Sequence, residues 1–161
     1  MAILALVAVS CHKSSPRPDW TYAFVDTCIT VDIDTSAWQL IDGPTITFRI
    51  PPGYVPSKST SIDTEGAEFE RGEGRIGYCF SCTPYALAGG FFRCRETING
   101  REAFVIRGPA GDHYLTAATW INPDERCLVL VANTPDRESD KEALAAIRSA
   151  RLKRPFDRQQ R

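Results

Sequence analysis

The chain has 161 residues, of which 43% are hydrophobic and 24% are charged. These proportions are typical of a globular protein, and the length fits one domain. The 19 basic and 20 acidic residues give a formal net charge of −1, which argues against the strongly basic surface of nucleic-acid-binding proteins. We therefore expect no nucleic-acid partner.

An uncharged apolar run at the start of the chain ends directly before Cys11. It is too short to cross a bilayer as a helix, which takes about 20 residues, and it has the length of the apolar region of a signal peptide. With its Ala8-Val9-Ser10-Cys11 ending, the run resembles the lipobox of bacterial lipoproteins. The resemblance implies that residues 1–10 are a signal peptide, that Cys11 is lipidated (with palmitate among its acyl groups), and that the protein is anchored in the cell envelope, facing the periplasm or the exterior.

The sequence after the predicted signal peptide is interpreted as a tether, a domain and a tail. No Lys or Arg precedes Lys13, although a signal peptide begins with a positively charged region, so we expect the natural start codon to lie upstream of Met1. Residues 11–20 are mostly polar and contain proline, as a tether between lipid and domain requires. Residues 21–152 are predicted to form a single domain, and residues 153–161 a basic, disordered tail.

The first clear strand signal spans residues 45–50. Its alternation places Ile46, Phe48 and Ile50 on one face, and two prolines and a glycine then end the strand.

Three predicted hairpins follow. The clearest turns at Asn99-Gly100, the pair that tolerates the positive φ angles of a type I′ turn. The last strand, 127–132, is apolar without alternation, as expected where both faces are covered. The paired segments are residues 67–70 with 75–81, 91–97 with 102–107, and 113–122 with 127–132.

The final predicted element is a helix. Ser139 and Glu142 match a capping box, in which each side chain satisfies the other's free backbone N–H. The predicted buried stripe consists of Ala143, Leu144, Ile147 and Ala150. The expected fold class is therefore α+β: a mainly antiparallel β-sheet with a C-terminal helix packed on it.

At this point the chain resembles a family. The phrase Ile46-Thr-Phe-Arg-Ile-Pro-Pro-Gly-Tyr54 is similar to the opening of Mog1/PsbP-like domains, where a strand, proline, glycine and an aromatic residue follow one another. The very apolar late strand leading into a short helix is similar too. The resemblance covers residues 38–152 and implies a Mog1/PsbP-like sandwich. Such domains act mostly as assembly factors or binding modules, so it implies a non-enzymatic role and supplies no catalytic residue.

The cysteines other than Cys11 are candidates for disulfides, because an exported domain sees an oxidising compartment. Strand geometry favours a bridge between Cys82 and Cys94. A bridge between Cys28 and Cys127 is the second candidate, since it would join an early strand to a late one. With Cys11 lipidated, an odd number of cysteines remains, so one is free or pairs outside the domain.

Cys79-Phe-Ser-Cys82 matches C-x-x-C and supports an alternative function, an envelope thiol–disulfide oxidoreductase. Redox C-x-x-C pairs use a helix N-terminus to lower the first thiol's pKa, whereas this pair ends a predicted strand, in which residues three apart face opposite sides. A zinc site from Cys79, Cys82, Cys94 and either Cys127 or His113 has suitable ligand types. Its spacing is not that of a zinc ribbon or finger, so we predict no metal.

Two further sequence features are predicted to have no catalytic or binding role. Gly72-Glu-Gly-Arg-Ile-Gly77 matches the dinucleotide fingerprint by letters only, since a strand rather than a helix follows it, and it is predicted to be a hairpin turn. His113 is predicted to lie at the surface at the start of a strand, and Asp112 is not expected to orient its ring merely through adjacency in sequence.

The early carboxylates Asp32, Asp34 and Asp42 lack the spacing of a calcium loop. The sequence therefore predicts a cofactor-free, membrane-anchored envelope lipoprotein. Its partners would be the membrane, through Cys11, and an envelope protein or ligand that the sequence does not identify.

Overall fold

The computed structural model describes residues 28–58, 65–80, 92–121 and 127–153. Within these ranges the chain forms one α-helix and two antiparallel β-sheets. The strands are β1 (Gln39–Asp42), β2 (Ile46–Ile50), β3 (Val55–Pro56), β4 (Gly66–Arg71), β5 (Gly74–Phe80), β6 (Phe92–Ile98), β7 (Arg101–Ala110), β8 (His113–Ile121), β9 (Cys127–Thr134) and β10 (Arg151–Leu152). The helix, α1, spans Arg137–Arg148.

The predicted signal peptide, lipidated Cys11 and tether lie outside the described residues, as do Cys82 and residues 154–161 of the tail.

The larger sheet contains seven strands in the order β3-β4-β5-β9-β8-β7-β6. The three predicted hairpins are all present, as β4–β5, β6–β7 and β8–β9. In the β6–β7 turn Asn99 has φ 48° and Gly100 has φ 84°, as the Asn-Gly pair predicted. Strand β6 lies at one edge of this sheet, and its neighbour β7 continues beyond the predicted end to Ala110.

A second sheet of three strands has the order β1-β2-β10, with β2 in its centre. The predicted inward face of β2 is confirmed, because Ile46, Phe48 and Ile50 are almost fully buried. Phe48 makes edge-to-face contacts with Phe69 of β4 and Tyr78 of β5, with ring centroids 6.4 and 6.0 Å apart. The small sheet therefore packs on the same face of the large sheet that the helix covers.

Helix α1 lies over β8 and β9 and contacts β2. The predicted buried stripe is confirmed, since all four of its members are at most 1% exposed. The prediction for β9 is also confirmed: Leu128 and Leu130 on one face and Val129 on the other are at most 1% exposed.

The predicted helix start was wrong. The N-cap is Asp136, not Ser139: Asp136 has extended backbone, and its Oδ1 accepts hydrogen bonds from the backbone N–H groups of Glu138 and Ser139 at 2.9 and 2.8 Å. An aspartate at this position satisfies two N–H groups that would otherwise lack partners, so the helix begins one turn before the capping-box motif.

Candidate functional site

A disulfide joins Cys28 to Cys94, across 66 residues of sequence and with the Cα atoms 5.3 Å apart. The two predicted pairings, Cys82 with Cys94 and Cys28 with Cys127, were therefore wrong. Cys94 lies on the edge strand β6, and Cys28 is partly buried against the core beside it. Cys127 lies on β9, three strands further in, and on the opposite face of the sheet, so it is beyond the reach of a disulfide to either of them. Burial raises the pKa of the Cys127 thiol.

Cys79 lies on β5, opposite Val129 of β9. It also belongs to a disulfide. Because Cys82 is outside the described residues, the predicted Cys79/Cys82 redox pair stays a prediction. The zinc set drawn from Cys79, Cys82 and Cys94 does not fit, since a disulfide sulfur is not the thiolate that zinc binds. Across the described ranges, His, Cys, Asp and Glu side chains form no cluster suited to a metal ion.

His113 and Asp112 contact each other, contrary to the expectation from sequence. The tight turn between β7 and β8 brings the Asp112 Oδ1 to 2.6 Å from the His113 Nδ1. This hydrogen bond lowers the pKa of Asp112. The carboxylate side chain is 91% exposed, so water screens the pair, and the contact defines a ring orientation rather than a buried catalytic dyad.

The glycine motif is a hairpin turn, as predicted. Gly72 has φ 59° in the β4–β5 turn, and Arg71 pairs with Gly74 across it. No helix follows, so the motif lacks the N-terminal amides that hold a pyrophosphate.

Two of the early carboxylates, Asp34 and Asp42, have separate structural partners. Asp34 accepts hydrogen bonds from the backbone N–H and the hydroxyl of Ser36, which lower its pKa. Asp42 lies 2.6 Å from the Lys153 ammonium group.

The most buried charged side chain in the described part of the chain joins the helix to the large sheet. Asp140, in the first turn of α1, is 5% exposed. One of its carboxylate oxygens accepts a hydrogen bond from the Arg107 guanidinium of β7 and the other accepts one from the Thr116 hydroxyl of β8. Arg107 Nε also donates to the Thr116 Oγ1 at 3.3 Å. No sequence motif indicates this triad, because its members lie on three separate elements.

A second ion pair fixes the Pro-Pro-Gly-Tyr motif. The Arg71 guanidinium contacts the Glu142 carboxylate of α1 at 2.5 Å, donates to the Pro52 carbonyl at 3.2 Å, and lies 4.7 Å above the Tyr54 ring centroid. Burial raises the pKa of Tyr54. The motif that resembles Mog1/PsbP-like domains is thus held against the helix by a single arginine.

The third ion pair lies at the other end of the helix. Arg148 binds Glu96 of β6 through Nε and Nη2, at 2.6 and 3.2 Å, and its Nη2 also donates to the carbonyl of Ile29 at 2.6 Å. The Asn99 side chain donates to the carbonyls of Arg148 and Ala150 at 3.2 and 2.7 Å, which satisfies acceptors at the helix end.

Residues 28–38, here called the strap, run past this third ion pair. The strap begins at the Cys28–Cys94 disulfide and ends where β1 starts. Its Val31 and Trp38 side chains are half-buried against the core. The disulfide, Arg148 and β6 thus form one assembly at the edge of the large sheet, and it is the strongest candidate for a site with more than a packing role.

Comparison with known proteins identifies a similar fold. The solution structure of cyanobacterial PsbP (CyanoP) from Synechocystis sp. PCC 6803 superposes on this chain with a TM-score of 0.50, covering 80% of this chain and 99% of CyanoP at 12% sequence identity. No protein-family model matches the chain, and a search of curated proteins finds no match.

At that identity the likeness concerns the fold alone. In the described part of the chain no helix is both long and apolar enough for a membrane span. The α+β, Mog1/PsbP-like fold expected from the sequence is confirmed: mostly antiparallel sheets with one C-terminal helix.

Proposed function

We propose that this protein is a non-enzymatic binding or assembly module of the bacterial cell envelope, held at a membrane by a lipid on Cys11. The observation that carries the proposal is the disulfide between Cys28 and Cys94. Structural disulfides persist in exported proteins and are rare in the cytosol. The lipobox-like sequence before Cys11 is consistent with the same compartment.

The charged groups around the helix support a binding role over catalysis. Arg71, Arg107 and Arg148 each bind a carboxylate that joins helix and sheet. Side chains engaged in this way fix the scaffold, and they leave recognition to the exposed surface and the loops.

Membrane partitioning of the full-length protein tests the anchor. Expressed in a bacterium with a functional leader, the wild-type chain should enter the detergent phase and incorporate labelled palmitate. A Cys11→Ser variant should do neither. Cys127→Ser is the matched control, because it removes a cysteine of the folded domain and should label like wild type. Unlabelled, water-soluble wild-type protein with a correctly processed N-terminus would refute the anchoring.

Photo-crosslinking tests the binding role. Phe92 is 73% exposed on the edge strand β6, and Val55 is 54% exposed at the opposite edge of the same sheet. A photoreactive amino acid at each position in the anchored protein should give a discrete crosslinked species at one edge and not at the other. Absence of any discrete adduct at both positions would count against an envelope protein as partner.

The alternative, a thiol–disulfide oxidoreductase, draws support from Cys79 being in a disulfide. It predicts that the purified protein reduces insulin in the presence of a thiol regenerating system and that Cys79→Ser abolishes the activity. Wild-type protein with no activity above that of the Cys79→Ser variant would eliminate this alternative.

A further inference from the structure

The strap is weakly held along its length. It contains no regular secondary structure, and none of its residues is fully buried. Among the described residues, its one backbone–backbone hydrogen bond is internal, from the Trp38 N–H to the Thr35 carbonyl. Segments with few buried contacts and solvated backbone open at low free-energy cost.

The two ends of the strap are attached in different ways. At its C-terminal end, Arg49 Nη1 donates to the carbonyls of Ser36 and Trp38 at 3.0 and 2.9 Å. The chain then enters β1, which pairs with β2. This end is therefore part of the small sheet and stays attached without any covalent bond.

The N-terminal end depends on the disulfide. Apart from the bond to Cys94, this end is held by the hydrogen bond from Arg148 to the Ile29 carbonyl and by the half-buried Val31 side chain. Arg148 is held in place by Glu96 independently of the strap, and the side chain of Ile29 is 54% exposed. Water can replace that carbonyl as the acceptor, so the contact alone does not hold the strap.

We propose that the Cys28–Cys94 disulfide is a redox-sensitive clamp, whose reduction frees the first part of the strap while the domain stays folded. The reductant would be a dithiol of the thioredoxin class in the envelope. One of its thiolates attacks the Cys28 sulfur, which is the more exposed of the two because Cys94 is 6% exposed. Cys94 leaves as a thiolate and takes up a proton. The second thiol of the reductant then attacks the mixed disulfide and releases Cys28, so that two protein thiols form and the dithiol becomes a disulfide.

Release would change how far the domain reaches from its anchor, a consequence that rests on the proposed lipidation of Cys11. In the oxidised chain the first described residue that is fixed to the domain, Cys28, comes 17 residues after Cys11. In the reduced chain that point moves to Ser36, 25 residues after Cys11. At full extension these lengths correspond to about 60 Å and about 90 Å, so reduction would extend the maximum reach by roughly half.

Limited proteolysis tests the clamp in the full-length Cys11→Ser chain, which needs no membrane. Asp32 and Asp34 lie in the strap, while Asp42 lies in β1. A protease that cleaves before aspartate should cut at Asp32 and Asp34 at least tenfold faster after reduction, with cleavage at Asp42 unchanged. The Cys28→Ser and Cys94→Ser variants should show the fast cleavage without reductant.

A control separates this clamp from the other disulfide. Cys79→Ser should leave strap cleavage slow under oxidising conditions, because the bond at Cys28 is intact. Equal cleavage of the oxidised and reduced strap would overturn the proposal, and so would an equal acceleration at Asp42, which would mean that the domain unfolds as a whole. The anchor is assessed separately by membrane partitioning, so the clamp and the lipidation succeed or fail independently.

Discussion

The buried triad of Arg107, Asp140 and Thr116 makes a quantitative prediction. In an Asp140→Leu variant the carboxylate is lost, while the Arg107 guanidinium, 15% exposed, and the fully buried Thr116 hydroxyl remain. Both donors are then confined between helix and sheet without their acceptor. An unpaired buried charge is more costly than the lost attraction alone, because the ion has been removed from water without compensation.

The expected loss follows from that burial. Breaking a buried ion pair by removing one partner lowers the free energy of unfolding by about 3–5 kcal/mol. The residual exposure of Arg107 lets some water reach the guanidinium, so we expect about 3 kcal/mol, near the lower limit of that range. A double variant, Arg107→Met with Asp140→Leu, removes both charges. It should recover most of the loss, since apolar replacements of buried pairs are often neutral or stabilising.

Urea unfolding followed by far-UV circular dichroism measures these differences, provided that the dependence on urea is the same for all variants. The Lys141→Ala variant is the matched control. Lys141 is the next residue of the helix, and its ion pair with Glu138 at 2.8 Å is half or more exposed on both sides. Its loss should therefore lower the free energy of unfolding by less than about 1 kcal/mol. The reasoning is refuted if Asp140→Leu behaves like the control, or if the double variant is as unstable as the single one.

Three other predictions concern local features. Cys28→Ser opens the loop that the disulfide closes across 66 residues. Measured without reductant, it should lower the free energy of unfolding by up to about 4 kcal/mol relative to wild type. An unchanged melting temperature would contradict this. Asn99→Gly tolerates the positive φ of the turn but loses the hydrogen bonds to the helix end. Asn99→Ala loses those hydrogen bonds and also disfavours the positive φ, so it should be the more destabilising of the two. Calorimetry that ranks the two variants the other way would contradict the assignment. Hydrogen bonds to the helix N-terminus, above all the one from the Ser139 N–H, lower the pKa of Asp136. The stabilisation by Asp136 is therefore complete above the unfolded pKa of 3.8, and it is lost as the pH falls through the lower pKa of the folded state. The melting temperatures of wild type and Asp136→Ala should accordingly differ at pH 7 and converge near pH 2, and a constant difference would argue against the cap.

Strand β2, the hairpins of the large sheet and the helix were predictable because their signals are local. Alternation in β2, the Asn99-Gly100 turn and the apolar stripe of α1 each depend on neighbouring residues. Strands β1 and β10 were not predicted, since they are four and two residues long and are stabilised by pairing with β2. The pairing of β10 with β2 brings together segments about a hundred residues apart, such as Arg151 opposite Thr47, and the sequence of neither segment indicates its partner.

The disulfide pairing was missed for a related reason. Cys28 lies in the strap, which has no periodic pattern and no regular structure, so its position beside β6 depends on contacts with distant parts of the chain. Strand geometry could assign a face to Cys94 but could not say which segment passes over it. The contact of Asp112 with His113 was not predicted although the two residues are adjacent in sequence. Adjacent side chains point to opposite faces in an extended strand, whereas the tight turn allows these two to meet.

The helix and the strap are attached to the rest of the domain in different ways. Acidic residues in the first half of α1 and an arginine in its last turn suit the helix dipole, and the same charges dock the helix onto three strands of the large sheet. The three pairs are Asp140 with Arg107 on β7, Glu142 with Arg71 on β4, and Arg148 with Glu96 on β6. Because these contacts lie at both ends of the helix and add to its buried stripe, no single change frees it. The strap instead has one covalent bond, at its N-terminal end. Under the clamp proposal, a change in redox state therefore releases this segment without altering the docked helix and sheets.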